Sequence, residues 1–213
     1  RFLLRHHDRK AILRTRASMF DMAATSTMLP LGTEAPDFAL ADVVSGRTVT
    51  LHDFEDRDGL LVMFICRHCP YVAHVRPAIA AVAREHAGSG LGIVAISAND
   101  PETYPEDAPG GLAAEAVEAG YTFPYLFDET QEVAKAYRAA CTPDFFLFDA
   151  DRQLAYRGQF DSSRPGNGVP VTGDDLREAI DASLAALGNP PASEELAARI
   201  VSPETAVSPN TKI

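Results

Sequence analysis

Two cysteines separated by two residues, Cys66 and Cys69, are the residues of this sequence best suited to chemistry. Their spacing allows a disulfide between them, and Pro70 suits the first turn of a helix, where its missing N–H costs little. A thiol at such a helix start lies near free backbone N–H groups and the positive end of the helix dipole, both of which lower its pKa. The motif therefore predicts thiol–disulfide chemistry, with Cys66 attacking from the strand–helix junction and Cys69 resolving the mixed disulfide.

The two residues inside the motif, Arg67 and His68, can both carry positive charge. Positive charge beside a thiolate stabilises it, so we expect a low pKa at Cys66 and an oxidising disulfide. A zinc site would need two more ligands beside the cysteine pair, and we expect no metal here. Cys141 is the one other cysteine of the chain, which argues against a disulfide framework and is typical of a cytoplasmic protein.

The motif lies between elements that would position it. Residues 60–65 form a continuous apolar run typical of a strand buried on both faces, and residues 69–87 carry a helical apolar stripe that Pro77 should kink. The other predicted elements are strands over residues 48–51, 91–97, 123–127, 144–148 and 153–157 and helices over residues 111–119, 130–138 and 172–187. This alternation predicts an α/β fold with a mainly parallel core.

Details of three of these helices can be checked individually. We expect Val117 to point inward, Thr130 to cap the helix that follows it, and Thr172 and Asp175 to form a capping box.

Charge and composition limit the partners and the domain count. The chain of 213 residues has a net charge of −11, although residues 1–19 hold six Arg or Lys and one Asp. An acidic body argues against nucleic acid as a partner, and the lack of a long apolar run argues against a membrane span. We expect a basic leader over residues 1–29, one domain over residues 30–188 and a tail over residues 189–213.

Several segments resemble one branch of the thioredoxin-fold proteins. Residues 35–40 (APDFAL), 51–54 (LHDF), 123–128 (FPYLFD) and 141–143 (CTP) are similar to segments of peroxiredoxins and TlpA-type proteins. With the Cys-x-x-Cys-Pro signature, the chain resembles the bacterial redoxins, a peroxiredoxin-like group related to the AhpC/TSA proteins.

The resemblance implies a thioredoxin-like fold: a mixed central sheet flanked by helices, an N-terminal strand pair, and a βα unit inserted at about residues 99–128. It also implies a cis peptide bond between Thr142 and Pro143, packed beside Cys66 where an extended substrate can pair with the backbone. Cys141 would lie near the site, either as an inert buried thiol or as a third redox cysteine. Protein or small-molecule disulfides and a thiol reductant are the expected partners, without a cofactor.

Three other functions remain open at this point. Peroxiredoxins carry Thr and Pro three and seven residues before the reactive cysteine, where this chain has Met63 and Gly59, which argues against efficient peroxide reduction. Thiol peroxidase stays an alternative because a Cys66 of low pKa could still react with peroxide. A Cu(I) carrier is the second alternative. Cu(I) carriers of this fold use a histidine late in the sequence as a ligand, and no histidine follows His86 here, which argues against this function. A redox-sensing adaptor without turnover is the third alternative.

Overall fold

The computed structural model describes residues 29–186. The predicted tail, and the predicted leader apart from Leu29, lie outside the described residues. The strands are β1 (Ala39–Asp42), β2 (Thr48–Thr50), β3 (Gly59–Phe64), β4 (Leu91–Ser97), β5 (Tyr125–Phe127), β6 (Asp144–Phe148) and β7 (Leu154–Gly158). The helices are α1 (Pro70–Glu85), α2 (Pro109–Ala119), α3 (Glu132–Ala136) and α4 (Asp174–Ala185). Within the described part of the chain, none of these helices is long and apolar enough to cross a membrane.

All seven strands form one sheet in the order β2-β1-β5-β4-β3-β6-β7. Strands β3, β4 and β5 are parallel to one another, whereas β1, β2, β6 and β7 pair antiparallel with their neighbours. The mixed sheet implied by the family resemblance is thus confirmed, and parallel pairing is limited to the three strands at the centre. The inserted unit supplies α2 and β5, and the N-terminal strand pair joins the sheet through β5.

The central strand β3 divides the core in two because successive side chains of a strand point to opposite faces. Leu61 and Met63 lie in one apolar cluster with α1, α2 and α4. Leu60, Val62 and Phe64 lie in a second cluster with α3 and the N-terminal segment. Because apolar clusters cover both faces of the sheet at β3, residues 60–65 are all apolar and do not alternate with polar residues.

Helix α1 begins directly after the cysteine motif. Cys69 is its N-cap residue and Pro70 occupies the first turn, as the sequence predicts. Its buried stripe contains Val72, Val75 and Ile79, and this stripe holds the helix against β3. The helix runs on through Pro77 to Glu85.

Two local predictions are wrong and a third is confirmed in part. Val117 is 74% exposed, because the buried residues of α2 are Leu112, Glu115 and Ala116. Gln131, in the left-handed region, is the N-cap of α3, but the hydroxyl of Thr130 accepts the backbone N–H of Glu132 at 3.3 Å. Gly173 is the N-cap of α4, so Thr172 does not begin a capping box there.

Candidate active site

The two cysteines of the motif lie at the carboxyl end of β3 and beside the loop that precedes β6. Cys66 Sγ is 3.1 Å from the hydroxyl oxygen of Thr142. Cys69 Sγ lies 3.3 Å from the carbonyl oxygen of Thr142, to which it donates a hydrogen bond when it is protonated. The peptide bond between Thr142 and Pro143 is cis, as the resemblance implies. The sheet order explains this meeting, because β6 pairs directly with β3.

Both sulfurs are buried. Cys66 and Cys69 are each 0% exposed, so the expectation that Cys66 lies nearer an exposed junction is wrong. Both pack in the apolar cluster under α1, α2 and α4. A substrate disulfide therefore reaches either sulfur only when neighbouring side chains move aside.

A hydrogen bond between the two thiols shifts their pKa values in opposite directions. The hydrogen bond to Cys69, together with burial, raises the pKa of Cys66. The hydrogen bond from Cys66 lowers the pKa of Cys69 to about 5, assisted by the backbone amides of Val72 and Tyr71 and by the side chain of Thr142. We predicted the lowered pKa at Cys66. It belongs to Cys69 in this structure, because the first amides of α1 point at the residue that caps the helix.

A buried carboxylate, Asp107, anchors the loop between the cysteines. Its Oδ1 accepts the backbone N–H of Arg67 at 2.7 Å and that of His68 at 3.1 Å. Its Oδ2 lies 2.5 Å from His68 Nδ1 and accepts the amide N–H of Asn99 at 2.9 Å. The ring of Tyr104 stacks on the imidazole with centroids 3.8 Å apart. Four contacts and a stacked ring hold His68 and the loop in one position.

The sequence alone singles out none of Asp107, Asn99 and Tyr104. Asp107 meets partners 39 and 40 residues earlier in the chain and Asn99 meets His68 31 residues earlier, and nothing in the local pattern of residues 99–107 indicates these contacts. Asp107 is 0% exposed, and only the structure shows that this acid is buried beside the motif.

The side chain of Arg67 extends away from the loop onto α2. Its guanidinium donates to the carbonyl oxygen of Gly111 at 2.7 Å and pairs with Glu118 at 3.2 Å. The predicted role of Arg67 in tuning the thiolate stays a prediction, as does that of His68. The described contacts of the guanidinium connect the motif to α2.

A second buried acid, Glu115, lies beneath the motif. Its carboxylate pairs with Arg76 at 2.6 Å and accepts from the hydroxyl of Tyr125 at 3.4 Å. Burial raises the pKa of Glu115. Arg76 also donates to the carbonyl oxygen of Arg67 at 3.1 Å, so this pair braces the motif from α1 and α2 together.

Cys141 lies next to Thr142 at the same end of the sheet. Burial raises the pKa of its thiol to about 12. A thiol of that acidity is a poor nucleophile at neutral pH, which favours the inert interpretation of this residue over a third redox role.

The site also gathers atoms that metals bind. Cys66 Sγ, one ring nitrogen of His68 and one carboxylate oxygen of Asp107 all lie within 4.8 Å of one another. This combination of sulfur, nitrogen and oxygen ligands is chemically mixed and partly accessible, since the His68 side chain is 13% exposed.

Comparisons with known proteins show the family of the chain. A model of the AhpC/TSA family matches residues 31–157. The thiol-disulfide oxidoreductase ResA of Geobacillus thermodenitrificans (strain NG80-2) is 28% identical over 135 residues, which cover 60% of this chain and 68% of that protein.

Two solved structures extend the comparison. A hypothetical protein from Sinorhizobium meliloti 1021 is 52% identical, with a TM-score of 0.74, over 76% of this chain and 87% of that one. A thiol:disulfide interchange protein of the thioredoxin family from Chlorobium tepidum TLS is 18% identical, with a TM-score of 0.57, over 73% of this chain and 99% of that one; it shows the fold alone. Because the family model spans more than half of the sequence, the chain belongs to the AhpC/TSA family, and its fold is thioredoxin-like.

Proposed function

We propose that this protein is a thiol–disulfide oxidoreductase in which Cys66 and Cys69 alternate between a dithiol and a disulfide. One observation carries the proposal: two hydrogen-bonded thiols lie at the start of α1, and the pKa of one of them is lowered to about 5. Such a pair shares one proton at neutral pH, and moving that proton from Cys66 to Cys69 makes Cys66 the thiolate, which is the form that attacks a disulfide. The similarity to an oxidoreductase of the ResA type supports the same assignment.

The reaction would run in two displacements. The proton of Cys66 passes along the hydrogen bond to Cys69, and the Cys66 thiolate attacks one sulfur of the substrate disulfide. The other substrate sulfur leaves as a thiolate, which leaves a mixed disulfide on Cys66. Cys69 gives its proton to the substrate thiolate that has just left. The Cys69 thiolate then attacks Cys66 and releases the second substrate sulfur as a thiolate, so that the substrate gains two electrons and the protein becomes a disulfide. A thiol reductant returns the two electrons by the same steps.

The loop at Thr142 would align the substrate. Thr142 is in contact with both sulfurs, so a peptide that pairs with this backbone in an extended conformation brings its own disulfide alongside. We therefore favour disulfides of protein segments or small molecules as substrates.

The test follows the oxidation of the reduced protein by a small disulfide and, separately, by hydrogen peroxide. Fast reaction with the disulfide and a peroxide rate no greater than that of a free thiol would support the oxidoreductase. Cys66→Ser should abolish turnover, whereas Cys69→Ser should trap a mixed disulfide on Cys66 that mass spectrometry detects. A trapped adduct on Cys69 in the Cys66→Ser variant, with none on Cys66 in the Cys69→Ser variant, would refute the assignment of the nucleophile.

Thiol peroxidase is the second candidate, and one contact favours it. The threonine that peroxiredoxins place before their reactive cysteine is replaced by Met63, yet Thr142 brings a hydroxyl to within 3.1 Å of Cys66 Sγ from another segment. A hydroxyl there could donate to a bound peroxide. If this candidate is right, peroxide oxidises the protein far faster than a free thiol, and Thr142→Val removes that advantage.

A further inference from the structure

The cluster formed by Cys66, His68 and Asp107 has the composition of a metal site. Its three ligand atoms come from two separate segments of the chain and lie within 4.8 Å of one another. Thiolate, imidazole and carboxylate are the three protein ligands of Zn²⁺. A purely soft ion such as Cu(I) prefers sulfur alone, and Mg²⁺ and Ca²⁺ prefer oxygen alone, so this mixed set favours zinc.

A fourth polar atom next to the cluster independently points to a ligand. Asn99 is 3% exposed, and its amide nitrogen is 2.9 Å from Asp107 Oδ2 and 3.3 Å from His68 Nδ1. Its amide oxygen is buried and has no hydrogen-bond partner within residues 29–186. A buried acceptor without a partner is unfavourable by about 1–3 kcal/mol. A cation, or water bound to a cation, would satisfy this oxygen.

We propose that the reduced protein binds one Zn²⁺ through Cys66, His68 and Asp107. The thiol proton of Cys66 goes to solvent, the imidazole stays neutral with its proton on the nitrogen that does not bind the metal, and no electrons move. Two negative ligands then balance the two charges of the ion. Tetrahedral zinc with bonds of roughly 2.0–2.3 Å separates its ligands by roughly 3.3–3.8 Å, so small movements of the three side chains complete the site.

Zinc binding would replace one contact that now holds His68. The ring contacts Asp107 and Tyr104, and two backbone N–H groups hold Asp107. A zinc ion shared by the ring and the carboxylate would take the place of the contact between His68 Nδ1 and Asp107 Oδ2. Three protein ligands leave one position open for water.

Zinc binding and disulfide formation therefore compete for the sulfur of Cys66. Cys66 cannot bind zinc while it is joined to Cys69, so metal binding blocks oxidation and oxidation releases the metal. This inference needs a reduced Cys66 but no disulfide exchange, and its failure is thus distinct from that of the proposed function.

The test is a titration of the full chain with Zn²⁺ alone, in competition with a chromophoric chelator. We expect one equivalent to bind the reduced protein and none to bind the disulfide form. Co²⁺ in place of Zn²⁺ should give a thiolate-to-metal charge-transfer band that is lost in Cys66→Ser. His68→Ala and Asp107→Asn should each weaken zinc binding by at least about tenfold, the lower range seen even for residues that only support a metal ligand.

The control is His52→Ala, which removes an imidazole that is paired with the carboxylate of Glu55 on the surface. It should bind zinc as the unaltered chain does. His68→Ala keeps the test decisive if Asp107→Asn does not fold, because His68 is partly exposed and lies outside the apolar core. Equal binding by the reduced and oxidised forms, or unchanged affinity in folded His68→Ala, would overturn the proposal. Zinc binding without disulfide exchange would refute the oxidoreductase and leave the zinc site standing.

Discussion

The two faces of the sheet are both closed by apolar side chains, yet they differ in what else they bury. On the aromatic face, defined by Phe64, Tyr137, Phe146 and Phe148, the rings meet edge to face, with Tyr137 and Phe146 centroids 5.5 Å apart. The thiol face, defined by the apolar cluster under α1, α2 and α4, contains Cys66 and Cys69.

The difference lies in the polar groups that each face must satisfy. The thiol face borders the buried acids Asp107 and Glu115, each held by several donors or a cation. The aromatic face borders one buried pair, Arg157 with Asp144 at 2.8 Å, and the guanidinium lies 4.5 Å from the centre of the Phe146 ring. Ring packing and one buried ion pair therefore stabilise the aromatic face, whereas the thiol face combines packing with a polar network around the cysteine motif.

The largest expected effect is the loss of stability when a buried ring is removed from the aromatic face. Phe146→Ala on the aromatic face should lower the free energy of unfolding by about 3–5 kcal/mol, because a fully buried ring leaves a cavity. Exchange activity per folded molecule should be unchanged. Chemical denaturation and a disulfide-exchange assay at low temperature measure the two quantities.

The matched variant is Phe145→Ala, one residue away on the thiol face, where the ring packs with the cysteines in one cluster. It should lose a similar amount of stability and also lose activity per folded molecule. Equal activity in both variants would show that the two faces do not differ in the way described.

The second effect concerns the anchor of the loop. Asp107→Asn keeps the size of the side chain but replaces one carboxylate oxygen by an NH₂ group. That group cannot accept the hydrogen bonds that the backbone N–H groups of Arg67 and His68 and the amide of Asn99 now donate to the carboxylate. We expect a loss of about 1–3 kcal/mol in unfolding free energy, because buried donors lose their acceptor, and a slower exchange rate, because the loop between the cysteines is released.

Asp100→Asn is the control for this variant: the same substitution at an acid on the nearby surface, whose carboxylate accepts from Thr103. It should change both quantities little. Unchanged exchange in a folded Asp107→Asn protein would contradict a positioning role for this residue.

The third effect is a pH dependence of the reduced protein. Because the pKa of Cys69 is lowered to about 5, the rate of alkylation by a small reagent, measured with a metal chelator present, should rise through pH 5 and level off by about pH 6.5. An ordinary thiol continues to gain rate up to about pH 8.5. A midpoint near 8.5 would refute the lowered pKa.

The same shift affects stability, and its sign can be worked out. An unfolded cysteine binds a proton up to about pH 8.5, whereas folded Cys69 loses its proton near pH 5. The unfolded state therefore holds more protons between these values, and the reduced protein should gain stability as the pH rises from about 5 to about 8.5. The disulfide form lacks the thiol and should show no such gain. Thermal unfolding of the two forms over this pH range measures the difference.

The alkylated residues can be counted in the same experiment. With its pKa raised to about 12, Cys141 should stay unlabelled at pH 7 in the folded protein and become labelled on unfolding. Peptide mass spectrometry locates the labels, and early labelling of Cys141 would revive the third redox cysteine.

How much of this site the sequence could predict depends on the distance over which each contact acts. The place of Cys69 and Pro70 at the helix start follows from local rules, and the cis peptide at Thr142 follows from the family resemblance. Asp107 could not be found, because its contacts join a polar loop to residues some 40 positions earlier. The order of the two pKa values could not be predicted either, since it depends on which sulfur faces the amides of α1 and which is buried against Asp107.

The smallest expected effect tests the role of Arg67. From the sequence, its charge should stabilise the thiolate, but its guanidinium contacts Gly111 and Glu118 on α2. If these contacts are its main role, Arg67→Met should lower the unfolding free energy by about 1 kcal/mol through the lost hydrogen bonds and move the alkylation midpoint by less than about half a pH unit. Glu118→Gln is the control for the exposed part of the pair and should have a smaller effect on stability, because exposed ion pairs contribute about 0–1 kcal/mol. A midpoint that rises by about one pH unit or more in Arg67→Met, but not in Glu118→Gln, would show that the charge acts on the thiolate from α2 and would extend the polar network of the thiol face to the surface.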